Sequence, residues 1–332
     1  MNRCNNDKDL SQSKEINVLD LIQLDINEEQ DVVENLLPIG VSVIGAPQKI
    51  GKTFFCLQLA ISVSTGQSFL NKNVQQGTVL YIALEDPKAK IRKRIKRFNC
   101  KLNSQLDIRF ENAYDPFFNL ESIIKEKKDK SPHLNLIIID TFAKIRKNQK
   151  TEYDLEYEEV SKMHELGMKY HVCILLVTHV KKAIDFNNPF DSIYGSRGIT
   201  AAVDSMMVIF RKNLNLKIKE LHITGKDIPD DQLVLIQDER MLFSIVDDEE
   251  IDEDIDENLI RVIHYLVAKK EFYGTHLDLC SKLNLSISAK KLQCLLKVNK
   301  TILEDNFITY EKGQKTTKAR PIKMIYHGNE EL

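Results

Sequence analysis

Val43-Ile44-Gly45-Ala46-Pro47-Gln48-Lys49-Ile50-Gly51-Lys52-Thr53 is the stretch that decides the fold of this chain. A short apolar run closes in a Gly/Pro loop. Gly51-Lys52-Thr53 follows, and then Phe54-Phe55-Cys56-Leu57-Gln58-Leu59-Ala60, which has the make-up of a helix. Strand, loop and helix in that order, with Gly-Lys-Thr at the helix start, describe a phosphate-binding loop. Unpaired N–H groups at a helix N-terminus point at the phosphates, and the helix dipole favours anions there. Gly45, Ala46, Pro47, Gln48, Lys49, Ile50, Gly51, Lys52, Thr53 and Phe54 are therefore the candidate nucleotide-binding residues. Lys52 is placed to reach the β- and γ-phosphates, and the Thr53 hydroxyl to sit on Mg²⁺. The pattern also wants a glycine where this chain has Ala46, and Gly45 lies one residue too early. Alanine tolerates positive φ poorly, so the turn is expected to be built differently, with help from Gly45 and Pro47. A chance Gly-Lys-Thr in an ordinary βα turn is the alternative that the rest of the chain has to displace.

Three later apolar runs do so. Thr78-Val79-Leu80-Tyr81-Ile82-Ala83-Leu84 ends in Glu85-Asp86-Pro87. Such a continuous run suits a parallel strand covered on both faces, and ligands in these sheets bind beyond the carboxyl ends of the strands. Glu85 is the candidate to orient and deprotonate a water for attack on a γ-phosphate. Asp86 suits a helix N-cap. Leu136-Ile137-Ile138-Ile139-Asp140-Thr141 reads as a strand whose terminal aspartate holds Mg²⁺ opposite Thr53. Val172-Cys173-Ile174-Leu175-Leu176-Val177-Thr178-His179 is a fourth buried strand, and His179 at its end can sense a γ-phosphate through a hydrogen bond. The helix opened by Lys88 is strongly basic (Lys90, Arg92, Lys93, Arg94, Lys96, Arg97), which ordinarily means a solvated face. A helix is expected over 157–170, further strands over 205–210, 217–223, 232–236 and 242–246, and an amphipathic helix within 15–36 that packs either on its own core or on a neighbour.

The 332 residues carry a net charge of −2, so there is no global polyanion-binding signature and any nucleic-acid surface must be local. The six cysteines have no paired spacing, and Cys56 and Cys173 lie within apolar runs, as buried reduced thiols do. No apolar run has the length of a membrane span and no signal-peptide pattern opens the chain, so the expectation is a cytoplasmic protein without a membrane partner.

Residues 247–257 hold nine acids in eleven positions, a linker composition that marks a boundary between 36–246 and 258–328, with 1–35 as a tail and short helix. From 258 onward there are 13 Lys+Arg against 7 Asp+Glu, a net of +6. Helices over 259–269, 275–283 and 289–305, followed by a β-ribbon (307–310 and 321–326) around a basic turn, fit a small winged-helix-like domain.

With those pieces placed, the chain resembles the RecA-like ATPases of the RepA hexameric-helicase group, of the kind carried by phages and mobile elements. The resemblance covers 36–246. It rests on Ala46–Thr53, Val79–Asp86, Leu136–Thr141, Leu175–His179 and 191–204, in that order and spacing. It implies an α/β fold: a RecA-like core with a mainly parallel sheet, binding ATP with Mg²⁺. The implied catalytic set is Lys52, Glu85 and His179, with Thr53 and Asp140 on the metal. A homo-oligomeric, hexameric ring with ATP between subunits is implied, with single-stranded DNA in its channel. The DNA would be gripped by the loops after Asp140 (Lys144, Arg146, Lys147) and after His179 (Lys181, Lys182, Arg197). A cation from the neighbouring subunit would complete the site, with Arg211 and Lys226 as candidates. A replication initiator or primase would be its protein partner. The function this points to is an ATP-hydrolysing DNA translocase or helicase in replication of a mobile element. The alternative is a DNA-binding ATP-dependent switch, a regulator or loader that does not unwind.

Overall fold

The computed structural model describes residues 15–24, 30–112, 119–145, 153–181, 188–193, 197–211, 218–246, 256–313 and 320–328. Helix α1 spans Val18–Gln23 and is capped by Asn17, which accepts from the Leu19 N–H at 2.9 Å. It is shorter than the amphipathic helix expected within 15–36 and none of its residues is buried. The apolar residues that follow, Val32, Val33, Leu36 and Leu37, are buried as turns and isolated bridges instead.

Strand β1 (Gly40–Ala46) leads through the phosphate loop into α2 (Lys52–Thr65), which Gly66 ends in the left-handed conformation. Then come β2 (Thr78–Ala83), α3 (Lys88–Phe98), β3 (Leu106–Phe110), α4 (Leu120–Lys130) and β4 (Leu134–Asp140). Helix α5 (Tyr153–Tyr170) begins four residues before the sequence-based boundary, and β5 (Cys173–His179), α6 (Arg197–Ala202) and β6 (Ser205–Arg211) follow. Strands β7 (Ile218–Gly225), β8 (Asp231–Gln237) and β9 (Phe243–Ile245) end this part of the chain. The β3–α4 pair was not legible in the sequence, because β3 is only half covered and lacks a sustained apolar run.

One sheet joins all nine strands in the order β3-β2-β4-β5-β1-β6-β7-β8-β9. From β3 to β6 the neighbours are parallel, and β6 to β9 are antiparallel. This is a RecA-like core with an antiparallel extension. The inner parallel strands β1, β2, β4 and β5 are covered on both faces, unlike β3 at the edge. Phe55, Leu59, Ile91 and Phe98 of α2 and α3 pack on one side, while Ile123, Ile124, Val160 and Met163 of α4 and α5 pack on the other. That is why β1, β2, β4 and β5 read as unbroken apolar runs rather than alternating ones. Cys56 and Cys173 are free and buried.

Beyond residue 256 a third apolar cluster forms among α7 (Glu257–Lys269), β10 (Glu271–Gly274), α8 (His276–Leu283), α9 (Ala289–Val298), α10 (Lys300–Asp305), β11 (Ile308–Lys312) and β12 (Ile322–Tyr326). The single helix expected over 289–305 is two helices, parted at Asn299. The expected ribbon gains a third antiparallel strand, giving the order β10-β12-β11. Among the described residues no helix is long and apolar enough to cross a membrane.

Candidate active site

Register, not chance proximity, gathers the site. Ala46 lies opposite His179, and Ala83 opposite Asp140, so β1, β2, β4 and β5 all end at one edge of the sheet. Glu85 sits just past the end of β2 at the same edge.

The loop between β1 and α2 resolves the question of the missing glycine. Ala46 is the last residue of β1 and needs no positive φ. The left-handed positions are Lys49 (φ 60°) and Gly51 (φ 107°), and Gly51 is the N-cap of α2. Gly45 does not shape the turn, contrary to expectation. A side chain there would meet Val180 and Ile193 at 3.1 Å, so its role is packing beneath the segment that follows β5.

Lys52 is buried, and its ammonium donates to the carbonyls of Ala46 at 2.7 Å and Pro47 at 3.1 Å. Its Nζ also lies 2.9 Å from His179 Nδ1. Burial pushes Lys52 down to about 8, partly offset by the charge of Asp140. Burial and the nearby Lys52 ammonium hold His179 below its ordinary value, with the Lys144 ammonium adding to the effect. The neutral imidazole therefore accepts from Lys52 at Nδ1 and keeps its N–H at Nε2, free to face a ligand.

Asp140 is 7 % exposed. Its Oδ2 accepts from Thr53 Oγ1 at 3.0 Å and from the Tyr81 hydroxyl at 2.5 Å. Burial raises its pKa and those two bonds oppose the rise. A buried carboxylate in contact with the P-loop threonine is an all-oxygen donor pair, which suits Mg²⁺, since that ion keeps most of its shell as water and phosphate. The residues thus fit both ATP and its metal: Lys52 and the loop N–H groups for phosphate, Thr53 and Asp140 for the cation. Bound Mg²⁺–ATP would supply the phosphoryl group and neutralise its developing charge.

Glu85 is exposed at the mouth, and its Oε1 accepts from the Thr141 hydroxyl at 3.0 Å. Asp86 does not cap α3. The N-cap is Pro87, and Asp86 instead forms ion pairs with Lys90 at 2.6 Å and with Arg94. The basic face of α3 is thus partly internal to the protein, and Arg97 also donates to the Glu239 carbonyl at 3.0 Å.

A family model described as an AAA domain (AAA_25) matches residues 11–185, more than half of the chain. The chain belongs to this family of P-loop ATPases. No curated protein matches it. Family membership agrees with the fold and with the nucleotide site, and the ATPase core continues past the matched segment through β6 to β9.

The remaining site candidates are dispersed. Arg211 closes β6 beside the phosphate loop. Its Nε is buried without a hydrogen-bond acceptor among the described residues. Lys226 sits at the opposite edge of the sheet, bound to Asp204 at 2.9 Å, and Asp204 also accepts from the N–H of Val41, the second residue of β1. Lys181 is exposed and donates to the Asp191 carbonyl at 3.0 Å. Lys144 lies in the short turn Phe142–Lys144 directly after Asp140-Thr141. Arg197 opens α6. Arg146, Lys147 and Lys182 lie outside the described residues.

Sequence reasoning missed Tyr81, Thr141 and the β7–β9 side of the site. A tyrosine inside a buried strand must place its hydroxyl on a partner, and that signal pointed to Asp140 one strand away. On the other side, Gln58 clasps the Phe243 backbone through bonds of 2.8 and 2.7 Å, fixing α2 to β9. Lys219, 4 % exposed, bonds Gln237 at 3.2 Å beneath Gly51, and burial pushes it down to about 8. Pairing across antiparallel strands is set by turns and register, which left no motif to find.

Proposed function

We propose that this ATPase is a ring-forming DNA translocase of the RepA-like helicase kind, acting in replication of a mobile element. The observation that carries the reading is the position of Lys144. This first cation of the segment after Asp140 stands in the turn Phe142–Lys144, which packs on β5, the strand that ends in His179, and its charge helps to hold the imidazole below its ordinary value. A strand of DNA held by Lys144 and the cations that follow would draw that charge away and alter His179, and so the contact between His179 and Lys52. Chemistry and DNA grip would then be linked through one edge of the sheet.

The chain's own groups supply the steps. Lys52 leaves the Ala46 and Pro47 carbonyls for the phosphates. Glu85 orients a water and takes its proton. His179, released by Lys52, reads the γ-phosphate with Nε2. Arg211, with a guanidinium N–H in need of an acceptor, is the better of the two candidates to reach a neighbour's phosphate, since Lys226 is tied to Asp204.

The test is ATP turnover with and without single-stranded DNA, alongside a strand-separation assay. Stimulation together with unwinding is expected. Turnover indifferent to single strands, with no duplex opened, would sink the reading. Turnover answering to duplex alone, without unwinding, would favour an ATP-dependent regulator or loader. Electron microscopy with a slowly hydrolysed ATP analogue should show closed rings around the single strand.

A further inference from the structure

We propose that α9 is the recognition helix of a double-stranded-DNA-binding module in the C-terminal part of the chain, separate from any single-strand grip in the ATPase core.

Helix α9, Ala-Lys-Lys-Leu-Gln-Cys-Leu-Leu-Lys-Val, contains no acid. Leu292 and Leu296 are fully buried and anchor it among Leu259, Leu279 and Ile308. Helical periodicity then fixes its other side. Lys290, Lys291, Gln293 and Lys297 are all exposed. None of these lysines has an acidic partner among the described residues, whereas Lys300 on the next helix is bound to Glu304 at 3.0 Å. Unpaired lysines contribute little to holding this helix in place, since Leu292 and Leu296 already do that.

The local architecture is also that of a groove reader. Helix α8 is opened by a full capping box between Thr275 and Asp278, and a short link leads to Ser288, which caps α9. Two helices joined this way form a helix-turn-helix, in which the second helix enters the major groove. At ten residues α9 is about 15 Å long, enough to lie in a groove about 12 Å wide. Lysine and glutamine are the side chains that read guanine and adenine edges there. In the sequence, residues 312–320 hold Lys312, Lys315, Lys318 and Arg320 and no acid.

Duplex rather than single-stranded nucleic acid follows from what α9 lacks. Single-strand surfaces stack bases on aromatic rings, and α9 has none. The exposed aromatics of this region, Tyr273 and Phe307, lie on the sheet and directly before its strand β11, not on α9. Tyr273 is opposite Lys323, and the exposed acids Glu271 and Glu311 share the sheet with it.

The experiment uses the full chain and fluorescence anisotropy of a labelled duplex of about two helical turns, with a single strand of the same length as comparison and salt varied. Lys290→Glu/Lys291→Glu/Lys297→Glu is expected to weaken duplex binding by about tenfold or more and to flatten the dependence of log affinity on log salt by about three phosphate contacts. Single-strand binding and basal ATP turnover should stay within about twofold. Lys269→Glu makes the same change of charge as Lys291→Glu on another helix and should have a smaller effect than Lys291→Glu. Thermal unfolding of each variant checks that the fold is intact, and Lys291→Gln supplies a milder change if the triple variant unfolds early. The proposal is overturned if the triple variant or Lys291→Gln binds duplex as tightly as the parent. It is also overturned if Lys269→Glu weakens binding as much as Lys291→Glu, or if single-strand binding falls in step with duplex binding. Failure of the translocase reading would appear instead as single strands without effect on turnover, so the two outcomes are distinguishable.

Discussion

Thr141 Oγ1 donates to Glu85 Oε1 across 3.0 Å, tying the exposed carboxylate at the end of β2 to the residue directly after Asp140. A hydroxyl bonded to a carboxylate contributes about 1.5–3 kcal/mol when it positions a charged group. Thr141→Val keeps the shape and loses that bond. ATP turnover should fall by about tenfold or more, while affinity for a non-hydrolysed nucleotide should change less than about twofold. Thr141→Ser should restore most of the rate. Steady-state phosphate release and nucleotide titration separate the two effects. A parallel loss in Thr141→Ser would mean that the methyl group, not the hydroxyl, matters.

The core of this site was legible because it is built on strands. Asp140 and His179 each close an apolar run, and Glu85 follows one almost directly, so their edge of the sheet could be inferred before the order β2-β4-β5-β1 was known. The loop geometry was not legible. Whether a residue takes positive φ is settled by the whole turn, and here the burden falls on Lys49 and Gly51 instead of on Ala46. Tyr81 was missed because it looks like an ordinary member of its strand, and Thr141 because it looks like an ordinary residue past the end of one, until the neighbouring strand is aligned. Helices α7 and α8 were legible from their 3.6-residue apolar spacing, but the break at Asn299 that parts α9 from α10 was not, and β10 is too short, at four residues, to show an alternation.

Burial of Lys52 has a measurable consequence in pH. Burial holds it at about 8, and phosphate within reach favours the charged form. Nucleotide binding therefore takes up a proton above about pH 8, so affinity is full below that value and weakens above it, by up to about tenfold per pH unit. Folding responds with the opposite sign. Lys52 is held below its ordinary value of 10.5, so the unfolded chain binds the additional proton in that window, and this group's contribution to stability rises with pH there. Titration of a non-hydrolysed analogue from about pH 7 to 9.5 should show the decline, and Lys52→Met should flatten it. Lys219, also pushed down to about 8, should leave the slope in place when changed to Met. If Lys219→Met flattens it, the proton belongs to Lys219.

Tyr81 is completely buried with its hydroxyl on Asp140 Oδ2. Tyr81→Phe removes one of two donors from a buried carboxylate, at a cost of about 1–3 kcal/mol. A lower denaturation midpoint is expected. With less support Asp140 protonates more readily, so the Mg²⁺ concentration for half-maximal nucleotide binding should rise, by about tenfold for the loss of a group that orients a metal ligand. An unchanged Mg²⁺ requirement would show that Thr53 alone sets the carboxylate's orientation.

The altered P-loop makes a paired test of the loop geometry. Ala46 lies in β1 without positive φ, so Ala46→Gly restores the usual motif and should not improve nucleotide affinity beyond about twofold. It should instead lower stability by roughly 0.5–1 kcal/mol through the added freedom of glycine in a strand. Gly51 is the reverse case. Its φ is 107°, and a Cβ there would come within 3.1 Å of the Phe243 ring and 3.2 Å of the Gln237 side-chain amide. Gly51→Ala therefore strains the N-cap of α2 and presses on the Gln58–Phe243 clasp, which together set the direction of the loop N–H groups. Nucleotide affinity should fall by about tenfold or more, with a cost to folding of about 1–3 kcal/mol. Calorimetric titration on both variants checks this. If Ala46→Gly bound nucleotide markedly tighter, the loop would have to turn at residue 46, which is incompatible with its pairing to His179.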